Sequence, residues 1–446
     1  MKVFLFFLGS MMILAGCSSS VSFLADDFDG VDESKVFSNG NEIHAQVSDL
    51  SISKKIESLD INKAVEYTIQ YNPELQKHKK LVRQIAADGK QADLYPNPTL
   101  EFLVEGFHLD SGKGFRDSEI TIEVSQEILL GKGKFHSVQA LSHEQKAALA
   151  SFYALRREAI ARVKKSFINV LYIQESLKVA QTLKENAFSL VEILEAKYKE
   201  GILKEVELLS AKTFLARREG DIVNLLQKLT LAKRQLAADI GNISLADENF
   251  VGDLQPVFYA QDLMHLKTIA MRNPLVVEAQ YQIEQQKSLL AEAQAKQIPN
   301  ITLFLGYRRN EASDENTAQI GFSIPLPIFN RNQGQIESKQ LSMEASQENL
   351  KLIQNNLFSQ IGDAHSSHQE VHKQIEILQN HTLPLAKRSL DLAKIEFEEG
   401  RQSFLLYLEA NRAYHEAQSD YLDAVKKAND TQIELERLLG ISSVKQ

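Results

Sequence analysis

Residues 197–241 and 396–440 align without a gap at an offset of 199, so that Gly201 meets Gly400 and Gly241 meets Gly440. Each segment reads as a glycine turn, a long Ala/Leu-rich helical stretch and a glycine stop. The preceding sequence repeats too. Residues 64–76 parallel 266–280 through Asn72-Pro73 and Asn273-Pro274, YPNPTLEF (95–102) parallels IPNITLFL (298–305), and 121–134 parallels 318–334. A period near 200 residues is far too long for a solenoid unit and marks a duplicated half-molecule. Any fold for this chain has to be built twice.

Each half has the same plan. A short helix precedes Asn-Pro and another follows it, because proline ends one helix and can open the next. Two strands come next, then a very long helix, the glycine turn and a returning helix. The strands rest on period-2 alternation. In 99–107, Leu100, Phe102, Val104 and Gly106 oppose Thr99, Glu101 and Glu105. In 119–125, Ile120, Ile122 and Val124 oppose Glu119, Thr121, Glu123 and Ser125. In 301–307, Ile301, Leu303, Leu305 and Tyr307 oppose Thr302 and Gly306. In 317–324, Ala318, Ile320, Phe322 and Ile324 oppose Thr317, Gln319, Gly321 and Ser323. The polar stretches 109–116 and 310–316 read as hairpin tips. A soluble sheet with one buried face would show the same alternation. Strands of about 9–10 residues can cross a bilayer when tilted, but four strands cannot close a barrel. A barrel with its apolar side outward therefore requires several copies of the chain.

The helices are legible from what is missing. Trp is absent, Gly and Pro are scarce, and straight or small side chains dominate, a mix that loses little rotamer freedom in a helix. No Pro or Gly falls between Lys134 and Lys199, enough for about 100 Å of helix. Phe152, Leu155, Ala159, Val163, Phe167, Val170, Leu177 and Ala180 form an interhelical seam along it. A second long helix is expected from about Asn332 to Glu399, with Pro384 kinking or splitting it near Thr382. Helices over 203–240 and 402–439 can return antiparallel.

The N-terminus carries an address. Lys2, an apolar run from Val3 to Leu14, and the small residues Ala15 and Gly16 precede Cys17, the single cysteine. The apolar run is too short to span a membrane and ends in a processing site. Leu14-Ala15-Gly16-Cys17 has the form of a lipobox, in which the cysteine is lipidated and the chain cut before it; ordinary secretion with a stray cysteine is the alternative. Ser18, not Asp, follows, which by resemblance to bacterial lipoproteins favours the outer membrane. One cysteine allows no internal disulfide. No later segment holds the ~20 apolar residues of a membrane helix, so a spanning mature chain must use a closed barrel. The net charge of -9 speaks against a general nucleic-acid binder.

The duplicated Asn-Pro, strand hairpin, long helix, glycine turn and return helix resemble the TolC-type outer-membrane factors over residues 60–440. The run from Ser323 to Gly334, SIPLPIFNRNQG, is similar to the Pro-Leu-Pro-(apolar)-Phe-Asn-Arg-(x)-(x)-Gly run of the CzcC/CusC-like heavy-metal efflux branch. There it leaves the membrane barrel for the helical tunnel, at Pro325, Pro327, Asn330, Arg331 and Gly334 in this chain. Strand pairing must stop at that point, which prolines tolerate.

The resemblance implies a fold that is mainly α with a membrane β-barrel portion. In it, a homotrimer pools its strands into a shared twelve-stranded barrel and its helices into a periplasmic α-barrel. Glu101, Glu105, Glu119 and Glu123 would line the lumen and the apolar faces would meet outer-membrane lipid. The implied order is a signal peptide (1–16), a lipid-anchored tether (17–58), a first repeat (59–241), an equatorial linker (242–261), a second repeat (262–440) and a tail (441–446). Gly201 and Gly400 would lie at the periplasmic tip, where the family meets its adaptor. There the family's acidic gate residues correspond to Glu409 and to Leu406, where this sequence departs from the pattern. Glu207 stands at the equivalent of Leu406 in the first half, and Arg401 is a gate partner or a surface charge.

His365, His368 and His372 share a helix face, but without acidic or Cys partners they read as a polar face and not a metal site. No P-loop, His-Glu-x-x-His or Gly-x-Ser-x-Gly motif is present. The expectation is a non-enzymatic passive duct without cofactor or bound metal, serving a periplasmic adaptor and an inner-membrane pump of the resistance–nodulation–division type. The implied cargo is heavy-metal cations. A drug-efflux or type I secretion duct is the alternative within the class, and a structural coiled-coil lipoprotein the alternative outside it.

Overall fold

A computed structural model of the chain describes residues 58–106, 114, 116–256, 262–399 and 401–440. Cys17, Gly400, the tether and the C-terminal tail lie outside the described residues, as does most of the first strand hairpin's tip. The elements follow the duplicated order. In the first half α1 (Ile61–Tyr71) and α2 (Pro73–Ala92) precede β1 (Thr99–Glu105) and β2 (Glu119–Ile128), followed by α3 (Gly133–Lys199) and α4 (Glu205–Ile240). In the second, α5 (Leu263–Ala270) and α6 (Pro274–Ala295) precede β3 (Ile301–Asn310) and β4 (Glu315–Ser323), followed by α7 (Gln333–Ile377), α8 (Leu383–Glu398) and α9 (Phe404–Leu439). No helix among the described residues is long and apolar enough to cross a membrane.

The described chain forms two compact units. One comprises Lys80–Ser151 and Leu275–Ile353 and holds the strands. They form one antiparallel sheet in the order β1-β2-β3-β4. All four strands depart from the expected bounds, β1 by ending at Glu105 and not at 107. β2 continues to Ile128 and β3 to Asn310, past Gln126 and Arg309, polar side chains at apolar positions of the alternation; β4 runs from Glu315 to Ser323, starting two residues early and ending one early. The amide of Gln126 donates to the carbonyls of Pro96 (3.0 Å) and Glu127 (2.9 Å), so its polar end is satisfied within the fold.

The other unit comprises residues 58–79, Phe152–Pro274 and 354–440. The predicted seam of α3 is largely its core: Ala159, Val163, Phe167 and Val170 are fully buried, and Leu177 is only half-buried. Phe167 meets the ring of Phe250 edge-on at 6.0 Å. Phe250 itself is fixed by a parallel bridge to Leu59, in which Leu59 N–H donates to Asn249 O at 2.9 Å and Val251 N–H to Leu59 O at 3.1 Å. Burying a side chain of the size of Phe167 contributes about 1.5–3 kcal/mol. The described part of the linker after α4, residues 242–256, is tied to the core by a 3-10 turn, Ile243–Asp247, and by this bridge.

Both Asn-Pro steps have a role that the sequence did not reveal. Each asparagine is 4% exposed. Asn72 Nδ2 donates to Asp239 O at 2.9 Å and Asn273 Nδ2 to Leu438 O at 2.8 Å. The two acceptors each lie two residues before a stop glycine, Gly241 or Gly440. A helix end leaves its last carbonyls without intrahelical donors, and these side chains supply donors in both halves. The glycines close the same ends in the left-handed conformation, at φ +93° and +70°. Pro384 acts as expected: a π turn at Leu378–Thr382 lies directly before α8, the usual accommodation where a missing N–H disturbs the ladder.

A methyl group at Gly241 would stand 2.7 Å from Pro73 Cδ and 2.8 Å from Asn72 Cα. Gly241→Ala is expected to cost about 2 kcal/mol or more, the left-handed penalty plus the clash. Gly220→Ala, mid-helix with open space around it, is expected to gain about 0.5–1 kcal/mol. Thermal unfolding of the detergent-solubilised protein, followed by circular dichroism, checks both signs.

Candidate functional site

The turn ends of the two helical hairpins form one packed body. Leu190, Val191 and Leu194 of α3, Leu208 and Phe214 of α4, Ala393 and Phe397 of α8, and Phe404, Tyr407 and Leu408 of α9 share a buried cluster. Phe397 stacks on Tyr407 at 5.8 Å and tilts against Phe404 at 6.0 Å, while Lys197 Nζ lies 4.9 Å from its ring centre. This aromatic group is absent from the expected site residues. Its only sequence signal is the seven-residue step from Phe397 to Phe404, interrupted by the turn.

The predicted tip residues surround that cluster. Gly201 turns the chain at φ +75°, with its N–H donating to Tyr198 O at 2.9 Å and Ile202 N–H donating to Lys197 O at 3.0 Å. Glu207 stands in the first turn of α4, where its carboxylate accepts the Lys204 N–H at 3.4 Å. An acid there also suits the helix dipole, so Glu207 serves the helix start whatever else it does. Arg401 pairs with Glu399 of its own turn, and its N–H donates to Glu396 O at 2.8 Å. Glu409 is exposed on α9, flanked by the buried Leu408 and Ala410. Ile202, Val206, Leu405 and Leu406 are also exposed, at 71, 64, 62 and 41%.

The sheet carries the second set of predicted residues. Directly opposed residues of an antiparallel pair project to the same side. Glu101 faces Glu123 and Glu105 faces Glu119. The ladder then carries this face through Thr302, Gly306, Arg308 and Asn310 of β3 to Ser323, Gln319, Thr317 and Glu315 of β4. All four predicted glutamates thus share one polar face. Like charges directly opposed repel; here Glu119 is relieved by Arg308 at 3.3 Å and by the Asn310 amide at 2.8 Å. Two apolar side chains share this face, Leu103 opposite Thr121 and Phe304. Phe304 fits because Gly321 lies opposite, where a Cβ would come 2.4 Å from the ring. The other face holds Leu100, Phe102, Ile320 and Phe322, 65–83% exposed.

After β4, Pro325 and Pro327 lie in an exposed extended segment. Asn330 Oδ1 accepts the Asn332 N–H at 3.0 Å, Arg331 N–H donates to Gln333 Oε1 at 2.8 Å, and Asn332 reaches Ala293 O at 2.7 Å. These bonds set up the start of α7, with Gly334 inside its first turn.

The histidines divide. His368 is not on a polar face, as the sequence suggested: it is 4% exposed, with Nδ1 3.2 Å from Thr431 Oγ1. Burial, then the neighbouring His372 and His365, push its pKa down. Among the described residues no group of three or more His, Cys, Asp and Glu is placed to hold a metal ion. His415 was not singled out from sequence, yet it is the more perturbed. Its pKa is pushed down to about 4 by burial, with Arg218 acting in the same direction against its bond to Gln418. Nδ1 lies 2.9 Å from Gln418 Oε1, and Nε2 is buried without a hydrogen-bond partner.

An amphipathic four-stranded sheet with two open edges, joined to paired long helical hairpins, defines the class of outer-membrane channel subunits. The family profile of outer membrane efflux proteins matches residues 65–242 and again 266–441, and the chain belongs to that family, with the two matches covering the two halves of its duplication. The chain is 27% identical to the cobalt-zinc-cadmium resistance protein CzcC of Cupriavidus metallidurans, over 78% of this chain and 82% of that protein. It is 24% identical to the probable outer membrane lipoprotein SilC of Salmonella typhimurium, over 63% of each. The crystal structure of CusC superposes with a TM-score of 0.74 at 19% identity, covering 85% of this chain and 91% of that one.

A free histidine titrates near 6.5, and His415 in the fold near 4. Between these values the unfolded chain takes up a proton that the folded chain refuses, so this group removes stability as pH falls from 6.5 to 4. His415→Gln is expected to lessen the fall of the melting temperature across that window. An unaltered slope would show that the imidazole is not held neutral.

Proposed function

We propose that three copies of this chain close a membrane barrel and a periplasmic helical tunnel, forming a passive exit duct for metal cations. The observation that carries this reading is the cross-strand register, which sorts four carboxylates onto one face of a sheet and exposed apolar side chains onto the other. Such a sheet has a water side and a lipid side. A lumen lined by Glu101, Glu105, Glu119 and Glu123 favours cations and repels anions. The metal cargo is supported by the names of the relatives CzcC, a cobalt-zinc-cadmium resistance protein, and CusC, a cation efflux system protein. In this reading the energy source is an inner-membrane pump of the resistance–nodulation–division type, reached through a periplasmic adaptor that docks at the Gly201 and Gly400 turns. Lipidation of Cys17 anchors the N-terminus to the outer membrane, a reading supported by the relative SilC being called a probable outer membrane lipoprotein.

The tip is the gate. Glu409, with Glu207 and Arg401 nearby in the paired turns, narrows the entrance when the helices are packed, and adaptor binding splays them. The Phe397 cluster is the hinge body that keeps each pair of turns together while they move.

Glu409→Ala is expected to make the entrance leakier, with about a twofold or greater rise in single-channel conductance in planar bilayers and greater sensitivity of cells to bulky antibiotics. Unchanged values of both would remove Glu409 from the gate. Deleting the gene is expected to sensitise cells to copper, silver, zinc, cobalt or cadmium; sensitivity to antibiotics alone would assign the duct to drug efflux instead. Cys17→Ser is expected to abolish incorporation of labelled palmitate into the protein, and retained labelling would contradict the anchor.

A further inference from the structure

The segment from Ile324 to Phe329 follows the last ladder pair of β4, Thr302 with Ser323, yet it stays apolar and exposed. Leu326 is 71%, Ile328 61% and Phe329 90% exposed, the last higher than any other large apolar residue described. Ile324 and Leu326 continue the two-residue rhythm of Ile320 and Phe322, so the apolar face of the sheet runs on beyond its hydrogen bonds. A chain that leaves a ladder normally presents bare N–H groups, which lipid cannot satisfy. Here Pro325 and Pro327 have no N–H to present, and the Ile328 N–H donates to Leu326 O at 2.9 Å. The polar residues that follow cap their own backbone: Asn330 accepts the Asn332 N–H, and Gln333 takes the Arg331 N–H while donating to Phe329 O at 3.3 Å. The exposed Arg331 comes two residues after Phe329.

From this we infer that Ile324–Phe329 is a membrane foot, a loop inserted into the periplasmic-side phospholipid leaflet next to the barrel. Leu326, Ile328 and Phe329 enter the boundary between headgroups and acyl chains, and Arg331 meets the headgroup phosphates. Apolar groups of this kind sit about 5–10 Å into that boundary, and basic residues flank it. The first half has a shorter and less exposed counterpart. Its connector, Leu129 to Lys132, has no proline and exposes one large apolar side chain, Leu130 at 48%, while Gly131 lies against Ala295, where a Cβ would stand 2.7 Å from the carbonyl oxygen. The duplication thus gave one repeat a packed corner and the other a foot. The inference rests on the lipid-facing reading of the sheet proposed above, and its test separates the two.

The chain contains no Trp, so a single introduced Trp reports alone. Phe329→Trp, Leu326→Trp, Phe102→Trp and Gln402→Trp are each made in the full-length protein. Each is reconstituted in phosphatidylcholine vesicles with and without bromine on the acyl chains, after gel filtration shows its oligomeric state unchanged. The foot predicts that Phe329→Trp and Leu326→Trp lose about half of their emission to the brominated lipid, as Phe102→Trp does, while Gln402→Trp at the tip loses none. If Phe102→Trp is quenched and both loop variants are not, the foot is overturned. A blue-shifted but unquenched loop signal would mean that a second copy of the chain covers it, and a red-shifted one that water does. No quenching at Phe102→Trp either would overturn the lipid-facing sheet along with the foot.

Discussion

The outer strands β1 and β4 each present one side of their backbone to no partner strand in the sheet. In water such edges invite aggregation; in lipid each unmet group costs several kcal/mol. The apolar face beside them, with Leu100 at 70% and Ile320 at 83% exposure, makes lipid the natural surrounding for this sheet. An edge-bare sheet in lipid is stable only when its edges meet those of other copies. In the proposed duct the need for several copies and the polarity of the lumen follow from that demand: a sheet closed with its apolar face to lipid turns the face bearing Glu101 and Glu123 inward.

The helices solve a related problem with different means. Duplication gives each half a long helix and a returning partner, and each return ends at a left-handed glycine clamped by a buried asparagine. The clamp is the same in both halves, while the corners between sheet and helix are not. Gly131 packs closely against the end of α6, whereas the prolines after β4 keep that corner open and apolar. Symmetry is retained where carbonyls must be capped, and lost where the surface meets its surroundings.

Much of this was legible in the sequence, for physical reasons that can be named. α3 was readable because its 67 residues lack interior breakers, and the π turn before α8 because Pro384 removes a donor. The polar and apolar faces followed from the rhythm of the strands. The ends of β2 and β3 did not, because Gln126 and Arg309 interrupt that rhythm while finding partners within the fold. Phe304 was out of pattern for the same reason: its acceptance depends on Gly321 across the ladder, a pairing that only the register reveals. The tip aromatics were hidden because the turn interrupts their spacing, and the burial of His368 because it depends on a contact with Thr431 of another helix. Of the candidate gate residues, the sequence located Glu207 but not its bond to the Lys204 N–H, and Gly400 lies outside the described residues.

Cross-linking between the sheet edges tests the shared barrel most directly. With Cys17 replaced by Ser, one cysteine is introduced in β1 at Leu100, Phe102 or Val104 and a second in β4 at Ile320, and outer membranes are oxidised. If β1 of one copy lies beside β4 of the next, one of these combinations will give a covalent trimer on denaturing gels, and either cysteine alone will not. Only monomers in every combination, in membranes that hold the protein, would mean that the sheet meets its surroundings without neighbours.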